Sequence, residues 1–179
     1  WIDGHGQPLL LVGTNMRKLR VLYAPDGIIA TEREGHHAGS VYCVAAVTNR
    51  DTILAATGSN DKLVKVVTLG VGARNEDGRV QVRSRLSLDV VLRGHTGTVR
   101  SVCFHSRHSG SGDSGRDSGA SLISAGAGAC AVRIWSLNEA GGRPVAALSG
   151  HSAPIFELRS CHSDGRIASV SADSTIKLW

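Results

Sequence analysis

The sequence predicts an all-β fold, a partial β-propeller built from repeated units of four short antiparallel strands. One sequence motif recurs in the chain, and its copies begin at His36-His37, Gly94-His95 and Gly150-His151. Each copy then alternates apolar and polar residues over short segments, which is typical of half-buried strands. A Gly-His opening and a strand-rich unit of roughly 40–45 residues together indicate a propeller blade.

The strands follow from these patterns unit by unit. The first unit, residues 1–30, has strand-like segments at 10–14 and 19–22 and predicts only part of a blade. The other three units, 31–70, 87–138 and 143–179, each predict a full blade of four strands. Residues 1–179 are therefore expected to form a single domain, with fewer blades than the roughly seven of a usual closed ring.

Two segments interrupt the period and are predicted to be insert loops. Residues 70–86 are polar and connect two strands of one blade. Residues 106–121 are rich in Gly, Ser and Asp, a composition that cannot bury enough apolar surface to order itself. Surface insertions of this kind add little to the free energy of loop closure.

Composition and cysteine usage limit the class of protein. Hydrophobic residues make up 41% and charged residues 20%, as in ordinary folded domains. No apolar run reaches about 18 residues, and the first twelve residues do not resemble a signal peptide, so no membrane association is expected. The four cysteines are scattered, which disfavours a disulfide framework and favours a cytoplasmic location.

These repeats resemble the WD-repeat family over nearly the whole chain. In that family a histidine, a Ser or Thr, an Asp and a Trp form a hydrogen-bonded network within each blade. Buried imidazole and indole N–H groups need such partners. The last unit carries the whole set, with either of two serines: His151, Ser169 or Ser171, Asp173 and Trp179.

The other units depart from the family pattern. The second unit retains His37, Thr57 or Ser59, and Asp61, but Val67 replaces the tryptophan. The third unit retains His95 and Trp135, but Ala129 stands six residues before the tryptophan, where the other units have Asp. The first unit has Met16 and Leu22 at the equivalent places. Packing rather than a polar network is therefore expected to hold the degraded blades.

The resemblance narrows to one branch of the family. The strings HHAGSVYCVAAV, ILAATGSNDKLVKV and LISAGAGAC are similar to the carboxy-terminal propeller of nemitin-type WD-repeat proteins, which are microtubule-associated. This similarity implies a scaffold or adaptor role in the cytoskeleton, with tubulin or microtubule-associated proteins as partners.

Other chemistry finds little support in the sequence. Cys103, His105 and His108 lie close together, and Cys161-His162 follows one unit later, but the paired spacing of a zinc site is missing. Gly126-Ala127-Gly128 lacks the Lys of a P-loop and the third glycine of a dinucleotide-binding fingerprint. The histidines that could act as general bases belong to the predicted networks. We therefore expect no enzyme activity, no metal and no cofactor.

Charge suggests one binding surface. The chain carries a net charge of +5, and the two insert loops are expected to emerge on the same face of the propeller. The arginines of this predicted basic face are Arg50, Arg74, Arg79, Arg83, Arg85, Arg107 and Arg116. Acidic residues among them leave a solvated rim of mixed charge as the simpler interpretation. RNA or a ribonucleoprotein is the alternative partner, although stacking aromatics are scarce and disfavour nucleic acid.

Overall fold

The protein is all-β in the computed structural model, which describes residues 2–4, 7–24, 26–49, 52–74, 76, 80–82, 87–105, 120–138, 141–161 and 164–179. The strands in these ranges are β1 (Ile2–Gly4), β2 (Gln7–Gly13), β3 (Leu19–Tyr23), β4 (Ile29–Arg33), β5 (Val41–Asn49), β6 (Thr52–Ser59), β7 (Val64–Arg74), β8 (Val80–Val82), β9 (Ser87–Leu92), β10 (Val99–His105), β11 (Ser121–Gly126), β12 (Val132–Asn138), β13 (Gly141–Leu148), β14 (Ile155–Ser160), β15 (Ile167–Ser171) and β16 (Ile176–Leu178). Within the ranges given, no helix is long and apolar enough to cross a membrane.

The strands form four antiparallel sheets, which we call blades 1 to 4. Blade 1 contains β1–β4, and blade 3 contains β10–β13, each in chain order. Blade 2 has the order β5-β6-β7-β8, with β9 also paired to β7, and blade 4 consists of β14–β16. The prediction of a partial propeller with three to four blades is confirmed. The sequence predicted an incomplete first blade and a complete last blade, but blade 1 has four strands and blade 4 has three.

Sequence units and blades are offset by one strand. Strand β13 lies in the sequence unit 143–179 but pairs with β12 of blade 3. Strand β4 likewise pairs with β3 of blade 1 although it borders the second unit. Each of these units thus gives its first strand to the preceding blade, so covalent connection and sheet pairing tie neighbouring blades together.

The segment predicted as an insert loop over 70–86 is partly strand. Strand β7 continues to Arg74, and its end pairs with β8 through Val71 opposite Val82. Val71 is buried in the core, so β-branched residues within a polar segment extend the sheet instead of leaving it. The other predicted loop, 106–121, lies outside the described residues except at its end, where Ser121 begins β11.

The hydrophobic core lies between the blades, in three clusters. The first joins blades 1 and 2, the second joins blades 2 and 3, and the third joins blades 3 and 4. Consecutive residues point to opposite clusters: Ala55 belongs to the first and Ala56 to the second, while Leu122 belongs to the second and Ile123 to the third. Because side chains alternate along a strand, an inner blade buries both of its faces.

Candidate functional site

The polar network of blade 4 is a continuous chain of hydrogen bonds. The Trp179 Nε1–H donates to Ser169 Oγ at 2.9 Å, and Ser169 Oγ lies 2.8 Å from His151 Nε2. His151 Nδ1 lies 2.7 Å from Asp173 Oδ2. Since a carboxylate can only accept, His151 donates from Nδ1 and its Nε2 accepts the serine proton. The structure selects Ser169, because Ser171 instead bonds the carbonyl oxygens of residues 153 and 154.

Asp173 ties two turns together through the same network. Its carboxylate also accepts the Ser152 N–H at 3.1 Å, the Thr175 N–H at 3.0 Å and the Thr175 hydroxyl at 2.6 Å. The hydrogen bond from Thr175, with those from His151 and the backbone, holds the pKa of Asp173 well below its usual range. The carboxylate thus fixes the turn that follows β15 against the histidine turn that precedes β14.

Blade 3 keeps the central part of this arrangement. Ser124 Oγ accepts the Trp135 Nε1–H at 2.7 Å and lies 2.7 Å from His95 Nε2. Where blade 4 has its aspartate, the Ala129 N–H donates to Thr96 Oγ1 at 3.0 Å. The sequence interpretation gave no hydroxyl residue for this unit, because the turn after β11 has one residue more than its counterparts. Ser124 can be found from the sequence by counting back from Trp135 and allowing one additional residue in this turn.

Blade 2 lacks the tryptophan and uses a second histidine in its place. His37 bonds Asp61 Oδ2 at 2.9 Å through Nδ1 and Thr57 Oγ1 at 2.9 Å through Nε2. His36 Nε2 lies 2.7 Å from the same Thr57 oxygen, and both imidazoles are buried. His36 Nδ1 is buried without a partner, which identifies Nε2 as the nitrogen that carries the proton. His36 therefore donates to Thr57 as tryptophan donates in blades 3 and 4.

Space explains why histidine replaces glycine here. A Cβ placed on Gly150 would lie 3.0 Å from the Trp179 ring, and one on Gly94 would lie 3.4 Å from Trp135. At Gly150 the Trp179 ring leaves less space than a Cβ normally has, and at Gly94 the backbone φ of +148° favours glycine as well. In blade 2, Val67 pairs opposite Ala55 as Trp135 pairs opposite Leu122. A tryptophan at 67 would reach the hydroxyl of Thr57 as Trp135 reaches that of Ser124, and His36 occupies this place instead.

The order Ser169, His151, Asp173 has the connectivity of a hydrolase triad, but it serves a structural purpose. The Ser169 side chain is fully buried, with 0% of its surface exposed, and its oxygen already accepts the Trp179 N–H. A nucleophile must reach its substrate, and this hydroxyl is closed off by the blade. Cys43 is no better suited, because burial raises the pKa of its thiol to about 12.

The buried histidines make stability depend on pH. Burial lowers the pKa of His36 from its ordinary 6.5 to about 3, and that of His95 to about 4. The unfolded chain takes up protons near pH 6.5 and the folded chain does not, so folding stability is complete above that pH and decreases below it. We expect a decrease of up to about 1.4 kcal/mol per pH unit for each such histidine.

The melting temperature, measured at pH values between about 7.5 and 4.5, reports this effect because the ordinary pKa of histidine, about 6.5, lies inside that range. The His95→Gln variant is the matched comparison, because it removes one titrating group and should show a shallower pH slope than the wild type. A melting temperature that stays constant across the window would contradict the prediction.

The remaining predicted sites are only partly within the described residues. The predicted basic face falls outside them, apart from the backbone of Arg74 at the end of β7. His105 Nδ1 lies 2.6 Å from Ser160 Oγ, a hydrogen bond between blades 3 and 4, whereas His108 and His162 are outside the described part. All four cysteines are free thiols.

Comparison with known families agrees with the division into blades. The chain matches the family described as WD domain, G-beta repeat over residues 28–67, 87–136 and 142–179. Each matched range begins within one residue of the start of β4, β9 or β13, the strand that pairs with the preceding blade, and extends through the network residues of the following blade. The matches therefore show the one-strand offset of the sheets. The matches cover well over half of the chain, which therefore belongs to the WD-repeat family.

Proposed function

We propose that this protein is a non-enzymatic interaction scaffold associated with microtubules in the cytoplasm. Proteins of the WD-repeat family generally act as scaffolds that bind other proteins. The observation that carries the scaffold function is the internal use of the polar groups: His37, His151, Thr57 and Ser169 are all buried and bonded to one another within their blades. The chemistry of these networks holds turns in place and leaves the exposed surface for partners.

The microtubule association has separate support. The strings that resemble nemitin-type proteins lie in blades 2 and 3, and the net charge of +5 suits an acidic surface such as that of tubulin. The same charge favours an alternative, an RNA- or ribonucleoprotein-associated subunit that uses the predicted basic face. Both partners are polyanions, so a direct comparison is needed.

Co-sedimentation with microtubules at increasing salt concentrations tests this proposal. RNA binding is measured with the same protein preparation, so that the two affinities can be compared. Changing Arg79, Arg83 and Arg85 to Glu should weaken microtubule binding at least tenfold, because long-range attraction to a polyanion is lost. A matched control changes the exposed Lys62, Arg93 and Arg159 to Glu, which lowers the net charge equally. Intact microtubule binding after the first change, or stronger binding to RNA, would overturn the proposal.

A further inference from the structure

Blades 2 and 4 place a carboxylate at the same point beside the network histidine. In blade 2, Asp61 Oδ2 lies 2.9 Å from His37 Nδ1 and accepts the Ala38 N–H at 2.9 Å. The other oxygen, Asp61 Oδ1, accepts the Leu63 N–H at 3.0 Å. Asp173 accepts the same three kinds of hydrogen bond in blade 4. We call these three N–H donors, one imidazole and two backbone groups, the carboxylate niche of a blade.

The turn after β11 keeps the backbone shape of this niche. Cys130 has a φ of 51°, and the equivalent residues Lys62 and Ser174 have φ values of 69° and 65°. Non-glycine residues rarely adopt this left-handed conformation, so its recurrence indicates the same turn in all three blades. The residue before it is an aspartate in blades 2 and 4 and Ala129 in blade 3. The residue after it supplies a backbone donor, and in blade 3 this is Ala131.

The turn of blade 3 is also packed closely against the histidine turn. The Ala129 N–H donates to Thr96 Oγ1 at 3.0 Å. A Cβ on Gly128 would lie 2.7 Å from the Gly97 nitrogen, and one on Gly97 would lie 2.7 Å from the carbonyl carbon of Ala127. Only glycine allows the two turns to approach this closely. The N–H donors of the two turns are therefore held in place before a ligand binds, which lowers the entropy cost of binding.

The chain supplies no carboxylate to the donors of blade 3. Ser124 Oγ accepts the Trp135 N–H and lies 2.7 Å from His95 Nε2, so the serine hydroxyl donates to Nε2. The ring proton of His95 is thus on Nδ1, as in His151 of blade 4. Within the part of the chain that the structure describes, no acceptor bonds this Nδ1–H or the N–H groups of Thr96 and Ala131.

Charge around the niche favours an anion. No Asp or Glu occurs in residues 93–105 or 120–138, whereas three arginines do. The guanidinium of Arg133 lies beside the histidine turn, with Nη1 3.1 Å from the place of a Cβ on Gly94. Burial, and then the charge of Arg133, lower the pKa of His95 to about 4, so the imidazole stays neutral near pH 7. The positive charge therefore comes from the arginines and attracts a negatively charged ligand.

We propose that blade 3 binds a small carboxylate through His95, Thr96 and Ala131, where blades 2 and 4 use their own aspartate. One oxygen would accept the His95 Nδ1–H and the Thr96 N–H, and the other would accept the Ala131 N–H, as the oxygens of Asp61 do. Hydrogen bonds to an ionised acceptor are about twice as strong as neutral ones. Thr96 and Ala129 are exposed, so a ligand can enter from solvent, and the Ala129 methyl group favours a compact acid.

The test uses the full chain at pH 7.5 with sodium formate as the probe, because formate has the size of the missing group. Sodium chloride keeps the ionic strength constant. NMR of the amide and imidazole N–H groups should show saturable shifts at His95, Thr96 and Ala131, with a Kd in about the millimolar range. Formate should also raise the melting temperature more than chloride does. Formamide has the same shape without the charge and should bind at least about tenfold more weakly.

Ala129→Asp should block the site, because the chain then supplies the carboxylate. We expect this variant to lose the NMR response to formate and to melt at a higher temperature than the wild type. Ala129→Asn fills the same space without the charge, so it should also lose the response but raise the melting temperature less. Met16→Asp is the matched control, since Met16 is exposed in blade 1 and the change in net charge is equal. It should bind formate as the wild type does.

Four results would each overturn the proposal: shifts that do not saturate up to about 100 mM formate, equal binding of formamide, a full response in Ala129→Asp, or a lost response in Met16→Asp. The first two measurements need only the wild-type protein, so they hold even if a variant folds poorly. The inference goes beyond the scaffold function, and the result of the microtubule experiment does not affect it.

Discussion

Replacing Trp135 with alanine is expected to lower the free energy of unfolding by about 3–5 kcal/mol. The Trp135 side chain is 1% exposed and belongs to the core cluster between blades 2 and 3. Its removal leaves a cavity among Val99, Leu122 and Leu137, and deprives Ser124 Oγ of its indole donor. Both the apolar contacts and the hydrogen bond are lost in one change.

Two further variants separate these contributions. Trp135→Phe keeps most of the apolar volume and removes the N–H, so a smaller decrease of about 1–2 kcal/mol is expected. Trp179→Ala is the comparison for position, because Trp179 stands at the end of the last blade and is only partly buried. Its effect should be clearly smaller than that of Trp135→Ala.

Chemical denaturation gives these free energies directly. A Trp135→Ala variant within about 1 kcal/mol of the wild type would show that the interface between blades 2 and 3 does not depend on this side chain. Equal effects of Trp135→Phe and Trp135→Ala would assign the stability to the hydrogen bond instead of the packing.

The second large effect on stability is expected when the His36 and Val67 pair of blade 2 is replaced by the glycine and tryptophan found in blades 3 and 4. His36→Gly alone removes the donor to Thr57 and opens space beside Val67, and we expect it to lower the free energy of unfolding by about 2–3 kcal/mol. Val67→Trp alone places a large ring against the His36 imidazole in a filled core, with a similar decrease of about 2 kcal/mol.

The double variant His36→Gly, Val67→Trp recreates the glycine and tryptophan pair of blades 3 and 4. It should recover much of the lost stability, with a coupling energy of about 1–3 kcal/mol in a double-mutant cycle. NMR provides an independent check in the wild type, where His36 should carry its proton on Nε2. Strictly additive effects, or a proton on Nδ1, would refute the substitution of His36 for tryptophan.

Local pattern was enough to predict the blades and the network of blade 4. Apolar alternation along a strand depends only on neighbouring residues, so strands such as β12 and β14 could be located from the sequence. His151, Asp173 and Trp179 follow one another at regular spacing, and the histidine could be matched to its partners without coordinates. The choice of Ser169 over Ser171 needed the structure, because both alternate positions point to the same face.

Other features depend on distances between residues far apart in the chain. His36 bonds Thr57 on β6, whereas Val67, which stands where the tryptophan would be, lies on β7, so their relation depends on how the strands pair. Ser124 was missed because one additional residue in a turn changed the spacing. The continuation of β7 to pair with β8 was missed because polar composition masked the valines.

The repeated motif and its strand periodicity thus fix the class of the fold and point to His37, His95 and His151 as the histidines that open the repeat units. Such features are encoded by spacing along the chain, where side-chain alternation is a local property. Tertiary structure decided which hydroxyl forms a hydrogen bond with each indole and imidazole, and how a histidine replaces a tryptophan. These outcomes depend on the space left between packed sheets and on register shifts, and neither can be read from the order of residues alone.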